Sequence, residues 1–185
     1  MSAATPQNAH GRRLFLLMAL LFFGPLLLAT GLYYGTNWRP KRLTNHGELI
    51  LPPRALAASL FQGKWSLVYV GRGDCPDSCR RTLYYMRQTH LGLGRLYTRA
   101  QRVFLATAPC CDRTHLMEEY PGLITVDATE PGIAAALPAF PAGRRATGIF
   151  IVDPHGNLMM RYDSTDRPEG LLDDLKQLLN LSSIG

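Results

Sequence analysis

The stretch W-S-L-V-Y-V-G-R-G-D-C-P-D-S-C-R-R-T-L-Y-Y-M at residues 65–86 decides the fold. It begins with an apolar, β-rich run, passes through two glycines, and then has a cysteine followed directly by a proline. This order predicts a core strand, a tight loop and the start of a helix, with Cys75 as the N-cap and Pro76 at the first helical position. Cys79 then lies one helical turn away on the same face, because side chains at i and i+4 are neighbours. The sequence therefore predicts two thiols at one exposed helix N-terminus.

Two thiols in this position suit thiolate chemistry. The positive end of a helix dipole lowers the pKa of a thiol, and the thiolate is both the nucleophile of disulfide exchange and a ligand for soft metals. Arg72 and Arg80 favour the thiolate of Cys75, whereas Asp74 and Asp77 oppose it. The alternative is a buried apolar pair or a static structural disulfide, since cysteine is among the residue types most often buried. The strand, loop and Cys-Pro helix start favour a functional pair.

Composition sets the broad class of protein. The chain has 185 residues, of which 46% are hydrophobic and 18% charged, as expected for one folded domain with an appendage. Its formal charge of +6 is spread along the chain without a dense basic run, which argues against nucleic-acid binding. The four cysteines group as 75/79 and 110/111, a pattern that indicates local chemistry and not a disulfide-stapled mini-fold.

The appendage is an apolar segment at residues 14–34, which contains no charged residue. At about 1.5 Å of rise per residue, a helix of this length spans the hydrocarbon core of a membrane. A cleaved signal peptide is the alternative, but its apolar region is usually shorter. We therefore predict a tail at residues 1–13, a transmembrane anchor at 14–34, a linker at 35–46 and a folded domain at 47–185. Basic residues flank the anchor on both sides, so charge counting alone does not fix its orientation.

Hydrophobic periodicity in the folded domain predicts strands alternating with helices, then a hairpin and a closing amphipathic helix with Asp166 as its candidate N-cap. This order is that of an α/β sandwich with a mixed central sheet. The predicted strands cover residues 47–53, 65–70, 102–107, 123–126, 148–153 and 158–163, and the predicted helical segments cover 55–61, 75–90, 114–120, 132–137 and 168–181.

With that order established, the chain resembles the Sco/SenC family of membrane-anchored cytochrome oxidase assembly proteins. The residues that carry the resemblance are L-V-Y-V-G-R-G-D-C-P-D-S-C at 67–79, with its C-P-D-x-C motif, and G-I-F-I-V-D-P-H-G-N at 148–157. The resemblance implies a thioredoxin-like fold held in the cytoplasmic membrane by one helix, with its C-terminal domain on the periplasmic side. It also implies copper(I) bound by two cysteines and a distal histidine, together with disulfide exchange.

Residue by residue, Cys75 and Cys79 carry over as the redox pair and as Cu(I) ligands. The distal histidine does not, because Arg144, Arg145 and Ala146 occupy its place, and an arginine cannot ligate a metal. The resemblance therefore implies a thiol–disulfide oxidoreductase or copper-handling factor that acts on the copper-site cysteines of a respiratory oxidase subunit. A catalytically idle scaffold for oxidase assembly is the alternative.

The remaining cysteines and histidines give weaker signals. Cys110, Cys111 and His115 lie close together in sequence and are predicted as a possible second soft site, although two ordinary loop thiols, or one partner in a longer disulfide, explain them as well. We expect His46 and His155 to be turn residues. We expect His90 to lie on the surface or to interact with the end of the helix dipole.

Overall fold

The computed structural model describes residues 8–35, 45–109, 113–165 and 167–184. The chain divides into two compact units, Met1–Leu43 and Thr44–Gly185. The first unit contains helix α1, Asn8–Gly35, within which Gly11–Gly35 is long and apolar enough to cross a membrane. The prediction of one apolar N-terminal helix is confirmed, and the helix begins earlier than the apolar run itself.

The second unit alternates strands and helices. Its order is β1 Glu48–Ala55, β2 Trp65–Gly71, α2 Asp77–Gly92, β3 Ala100–Ala106, α3 Arg113–Glu119, β4 Leu123–Asp127, α4 Pro131–Ala134, β5 Gly148–Val152, β6 Asn157–Asp163 and α5 Leu171–Leu181. Short 3-10 turns lie at Ser59–Phe61, Gly94–Arg99, Leu137–Ala139 and Ala142–Arg144.

The strands form one mixed sheet in the order β1-β6-β5-β2-β3-β4. Strands β2, β3 and β4 are parallel, whereas β5 is antiparallel to both β2 and β6. Every residue of β2 is buried, as its continuous apolar sequence requires of a central strand with both faces covered. Leu67 and Tyr69 pack in the cluster that contains residues of α2 and α5, and Val68 and Val70 pack in the cluster on the other face. The predicted α/β architecture is confirmed.

The start of α2 differs from the prediction by one residue. Pro76 occupies the N-cap, and Cys75 lies in the preceding turn with a backbone φ of 39°. The amide of Cys75 donates to the carbonyl of Arg72 at 3.2 Å, which closes this turn tightly. The prediction of Cys75 as N-cap is therefore wrong, because the tight turn uses the left-handed conformation and not the extended one that an N-cap adopts.

Element boundaries at the two ends of the domain also differ. Strand β1 continues through Pro52 and Pro53, which an edge strand tolerates because its outer amides have no partner in the sheet. Helix α5 begins after Gly170, whose φ is 71°, and not at residue 168. Asp166, the predicted N-cap, lies outside the described residues. The helical turn predicted over residues 55–61 shortens to Ser59–Phe61.

A buried carboxylate joins the beginning of the domain to its last helix. Asp174 in α5 accepts hydrogen bonds from the amides of His46 and Gly47 at 2.7 and 3.2 Å, from Nδ1 of His46 at 3.0 Å, and from the hydroxyl of Tyr162. Burial opposes ionisation of Asp174, but these donors outweigh it and lower its pKa. The hydrogen bond and charge of Asp174 raise the pKa of His46. We call these four residues the Asp174 clasp.

The two pKa shifts predict how the stability of the clasp depends on pH. The raised pKa of His46 gives stability that is present below its ordinary value of 6.5 and is lost as the pH rises through the raised value. The lowered pKa of Asp174 gives stability that is present above 3.8 and is lost as the pH falls through the lowered value. We expect His46→Ala to lower the melting temperature more at pH 5.5 than at pH 8.5.

Thermal unfolding of the full chain in detergent at both pH values measures this difference. The matched control is His155→Ala, because His155 is exposed in the turn between β5 and β6 and lies outside the clasp. Equal losses for His46→Ala at both pH values would contradict the role given to the ion pair.

Candidate functional site

The structure brings the two predicted site cysteines together. Cys75 and Cys79 form a disulfide with an S–S distance of 2.01 Å and a Cα–Cα distance of 5.0 Å. This bond spans the junction between the loop after β2 and the first turn of α2. Two cysteines at i and i+4 on a helix start are therefore close enough to exchange between a dithiol and a disulfide.

The predicted exposure of this pair is wrong. Cys75 is 5% exposed and Cys79 is 0% exposed, whereas Pro76, Asp77 and Ser78 between them lie on the surface. Both cysteines belong to the core cluster that also contains residues of β2, α3 and β5. The start of α2 is exposed on one side and buried on the other. Cys79 lies on the buried side, as the first of the buried residues of this helix.

The loop that carries Cys75 packs directly on the loop that follows β3. A Cβ atom on Gly73 would lie 2.2 Å from the carbonyl oxygen of Pro109 and 2.3 Å from that of Ala108. Thr107 also donates to the carbonyl of Gly71, from its amide at 2.9 Å and its hydroxyl at 3.2 Å. Glycine at position 73 is therefore required by the close approach of two backbones.

The charges around the motif pair with each other. Arg72 binds Asp74 at 2.6 Å, and Arg80 binds Asp77 at 2.7 Å, with all four side chains largely exposed. The hydrogen bond from Arg80 lowers the pKa of Asp77. Because each arginine has an acidic partner, their effects on a Cys75 thiolate largely cancel. The dipole of α2 is then the main local influence that favours the thiolate.

The segment in the place of the distal histidine makes its own contacts. Arg144 binds Glu48 at 3.1 Å, and Arg145 donates to the carbonyls of Phe140 at 3.0 Å and Leu137 at 2.8 Å. The carbonyl of Ala146 accepts a hydrogen bond from the hydroxyl of Tyr69 at 3.3 Å. Burial raises the pKa of Tyr69, so its phenol stays protonated as the donor.

These residues do not complete a copper site. In the described parts of the chain, no group of three or more His, Cys, Asp or Glu side chains is arranged to hold a metal ion. Among the described residues, the soft donors at the motif are the two sulfurs, and the nearby arginines are cations that bind carboxylate and carbonyl oxygens. The arrangement therefore does not fit the three-ligand copper site that the resemblance implies.

The other candidate residues do not join the disulfide in the described structure. His115 lies on α3 with its Nε2 atom 3.9 Å from a carboxylate oxygen of Glu119. Cys110 and Cys111 lie outside the described residues, so the second soft site stays a prediction. His155 is exposed in the turn before β6, as predicted.

His90 lies in the last turn of α2, as predicted, but it is not a surface residue, so the surface alternative is wrong. Its ring is buried and stacks on Tyr97 with 3.9 Å between centroids, and Nε2 lies 3.0 Å from the carbonyl oxygens of Tyr97 and Ala100. Because carbonyl oxygens accept only, Nε2 carries the proton, and burial lowers the pKa of the ring. The signal was present in the sequence, since His90 continues the buried stripe of Cys79 and Met86.

Sequence reasoning missed three polar residues near the motif. Tyr69 extends its ring over Gly71 and bonds Ala146, and the hydroxyls of Thr82 and Ser164 lie 3.0 Å apart in the interior. Thr82 is three residues after Cys79, so its sequence position indicated the buried side of α2. No local signal identified its partner, which follows β6.

Comparison with known proteins agrees with the fold. Residues 65–182 match the family described as a transmembrane-like, thioredoxin-like, C-terminal domain. No curated protein matches the sequence.

Solved structures with the same fold include Sco proteins. Apo Sco1 from Thermus thermophilus has a TM-score of 0.55 at 20% identity, covering 76% of this chain and 98% of that one. Copper-bound yeast Sco1 has a TM-score of 0.55 at 18% identity, covering 66% and 82%. Copper-bound ScoI from Bradyrhizobium japonicum has a TM-score of 0.50 at 19% identity, covering 64% and 87%. At these identities the similarity shows the fold, and the predicted thioredoxin-like, Sco-like architecture is confirmed at that level.

The close packing at Gly73 leads to a stability prediction. Gly73→Ala places a methyl group against two carbonyl oxygens, so we expect the free energy of unfolding to fall by about 1–3 kcal/mol, the usual cost of overpacking. Gly132→Ala is the matched control, because a Cβ atom there meets nothing within 4 Å. Denaturant unfolding of the oxidised full chain measures both values. Equal stability of the two variants would contradict the contact at Gly73.

Proposed function

Because this chain belongs to the family of transmembrane-like, thioredoxin-like C-terminal domains, we propose that it is a membrane-anchored thiol–disulfide exchange factor. The observation that carries the proposal is the bond between Cys75 and Cys79 at the start of α2. A dithiol and a disulfide at a helix N-terminus are the two forms that such a factor alternates between.

In the reduced form, the thiolate of Cys75 attacks one sulfur of a partner disulfide. A mixed disulfide forms, and the partner releases one thiolate. The thiolate of Cys79 then attacks the sulfur of Cys75, which closes the intramolecular disulfide and releases the second partner thiol. Two electrons pass to the partner, and the reverse sequence oxidises a partner dithiol. Cys75 is the attacking residue because it lies in the loop and is the less buried of the two residues.

The partner we propose is a respiratory oxidase subunit that presents the cysteines of its copper site. The C-P-D-x-C motif and the shared fold with Sco proteins support this choice. We place α1 in the cytoplasmic membrane with the C-terminal domain on the periplasmic side. Disulfides persist in that compartment, which agrees with a pair that works between two redox states.

A catalytically idle scaffold is the second candidate. The observation that favours it is the burial of both sulfurs, because a nucleophile needs direct access to the S–S bond. On this alternative, the Cys75–Cys79 bond is structural, and the domain binds its partner through its surface alone.

Mixed-disulfide trapping distinguishes the two candidates. The probe is a synthetic peptide with an oxidised Cys-x-x-x-Cys pair, mixed with the reduced full chain in detergent. We expect Cys79→Ser to accumulate a covalent adduct with the peptide, because the resolving thiol is missing. We expect Cys75→Ser to form at least about tenfold less adduct, because Cys79 is fully covered. Mass spectrometry of the intact chain measures both yields.

The wild-type chain provides the reference, equilibrated with reduced and oxidised glutathione. An exchange factor shows a reversible two-electron transition of Cys75 and Cys79. If the wild type shows no transition and neither variant forms an adduct, the scaffold is the better account.

Copper handling is the other use of these sulfurs that the resemblance implies. Soft thiolates suit Cu(I), and copper-bound Sco structures share the fold. Since the described residues do not fit a three-ligand site, we expect the reduced chain to lose Cu(I) to an excess of a chromogenic Cu(I) chelator. Cys75→Ser and Cys79→Ser should give the same end point as the wild type. The expectation would be contradicted if the wild-type chain retained one Cu(I) and either variant lost it.

A further inference from the structure

Two buried hydroxyl groups lie beneath the motif. Thr82 on α2 is 1% exposed, and Ser164, just after β6, is 4% exposed. The hydroxyl oxygen of Thr82 lies 2.9 Å from the carbonyl oxygen of Ser78 and 3.0 Å from the hydroxyl oxygen of Ser164. A hydroxyl carries one hydrogen, and a carbonyl oxygen accepts only. Thr82 therefore donates to Ser78, and Ser164 donates to Thr82.

This pair connects the segments that surround the disulfide. Ser78 stands between Pro76 and Cys79 in the motif, so Thr82 holds the backbone next to Cys79. The amide of Ser164 donates to the carbonyl of Thr147 at 2.8 Å. Thr147 follows directly on Ala146, whose carbonyl accepts from Tyr69. The hydroxyl pair thus links the motif helix to the segment in the place of the distal histidine.

The two cysteines are held very differently. Cys79 lies in the first turn of α2, and Thr82 binds the carbonyl of the residue before it, Ser78. Cys75 lies outside the helix with a φ of 39°, a conformation that is unfavourable for a residue other than glycine. The disulfide is the covalent bond that ties Cys75 in this conformation to Cys79.

We propose that Thr82 and Ser164 are positioning residues that hold Cys79 in place in the dithiol, so that closing the disulfide requires Cys75 alone to move. This inference rests on the proposed thiol–disulfide exchange. A fixed Cys79 raises the effective concentration of one thiol at the other, since less freedom is lost on ring closure. Removal of the hydroxyl pair therefore makes the disulfide easier to reduce.

The test is a glutathione equilibrium with the full chain in detergent. Protein disulfide and two molecules of reduced glutathione give protein dithiol and one molecule of oxidised glutathione, a balanced two-electron exchange. We expect Thr82→Val to shift the equilibrium constant towards the dithiol by about threefold to tenfold, the range that corresponds to one buried hydrogen bond. Ser164→Ala removes only the hydrogen bond between the two hydroxyls and keeps the one from Thr82 to Ser78, so it should give a smaller shift in the same direction, and the double variant should give no more than Thr82→Val.

Two controls separate positioning from general stability. Thr82→Ser keeps the hydroxyl and should restore the wild-type constant to within about twofold, because the hydrogen bond to Ser164 is retained. Thr125→Val removes a buried hydroxyl on β4 for which the described residues provide no hydrogen-bond partner, and it should leave the constant unchanged. Melting temperatures of the oxidised and reduced forms accompany each variant.

The outcomes are distinct. If Thr82→Val lowers the melting temperatures of both redox forms equally and its equilibrium constant matches that of Thr125→Val, the pair is structural and the inference is overturned. Should Thr82→Val fail to fold, Ser164→Ala and Thr82→Ser decide the question by the same criterion. A wild-type chain with no redox transition overturns the proposed function itself, and the inference with it.

Discussion

The central constraint of this structure is the position of β2 in the sheet, between the parallel strand β3 and the antiparallel strand β5. The carboxyl ends of β2 and β3 and the amino end of β5 therefore meet at one edge. The segments that leave or enter these strands have to pack on each other there. Examples are the close approach of Gly73 to the carbonyl of Pro109 and the hydrogen bond from Tyr69 to the carbonyl of Ala146. Ligand and reaction sites in α/β folds commonly occur at such meeting points. The disulfide lies at this edge because of the topology.

Patterns along the chain predict the elements of a mixed sheet and the closeness of the two cysteines, but not the order of the strands. An uninterrupted apolar run predicts a central strand, and a spacing of i and i+4 places Cys75 and Cys79 within bonding distance. Burial of Cys75 was not predictable from the motif alone, because local sequence does not show how the loop before the helix packs, whereas the apolar stripe of α2 places Cys79 on the core side. His90 is the opposite case. Its position on the apolar side of α2 indicated burial, which is correct, whereas its polar residue type suggested a surface position, which is wrong. The hydroxyl pair and the Asp174 clasp join residues far apart in sequence, and a single chain carries no signal for such contacts.

Buried polar groups in this domain connect segments that the sheet leaves separate. Asp174 ties the first residues of the domain to α5, and Thr82 with Ser164 ties α2 to the end of β6. Buried polar groups need partners, so each of these links is specific in geometry as well as favourable. The segment in the place of the expected copper ligand also makes polar contacts. Arg144 forms an ion pair with a carboxylate on the edge strand, and Arg145 donates hydrogen bonds to two loop carbonyls. These contacts stabilise the loop.

Strand β1 is an edge of the sheet, and two consecutive prolines interrupt it. Pro52 and Pro53 carry no N–H group, so a second chain finds gaps in the ladder of hydrogen bonds that it would need to extend the sheet. The exposed edge of this domain is therefore a poor template for strand addition.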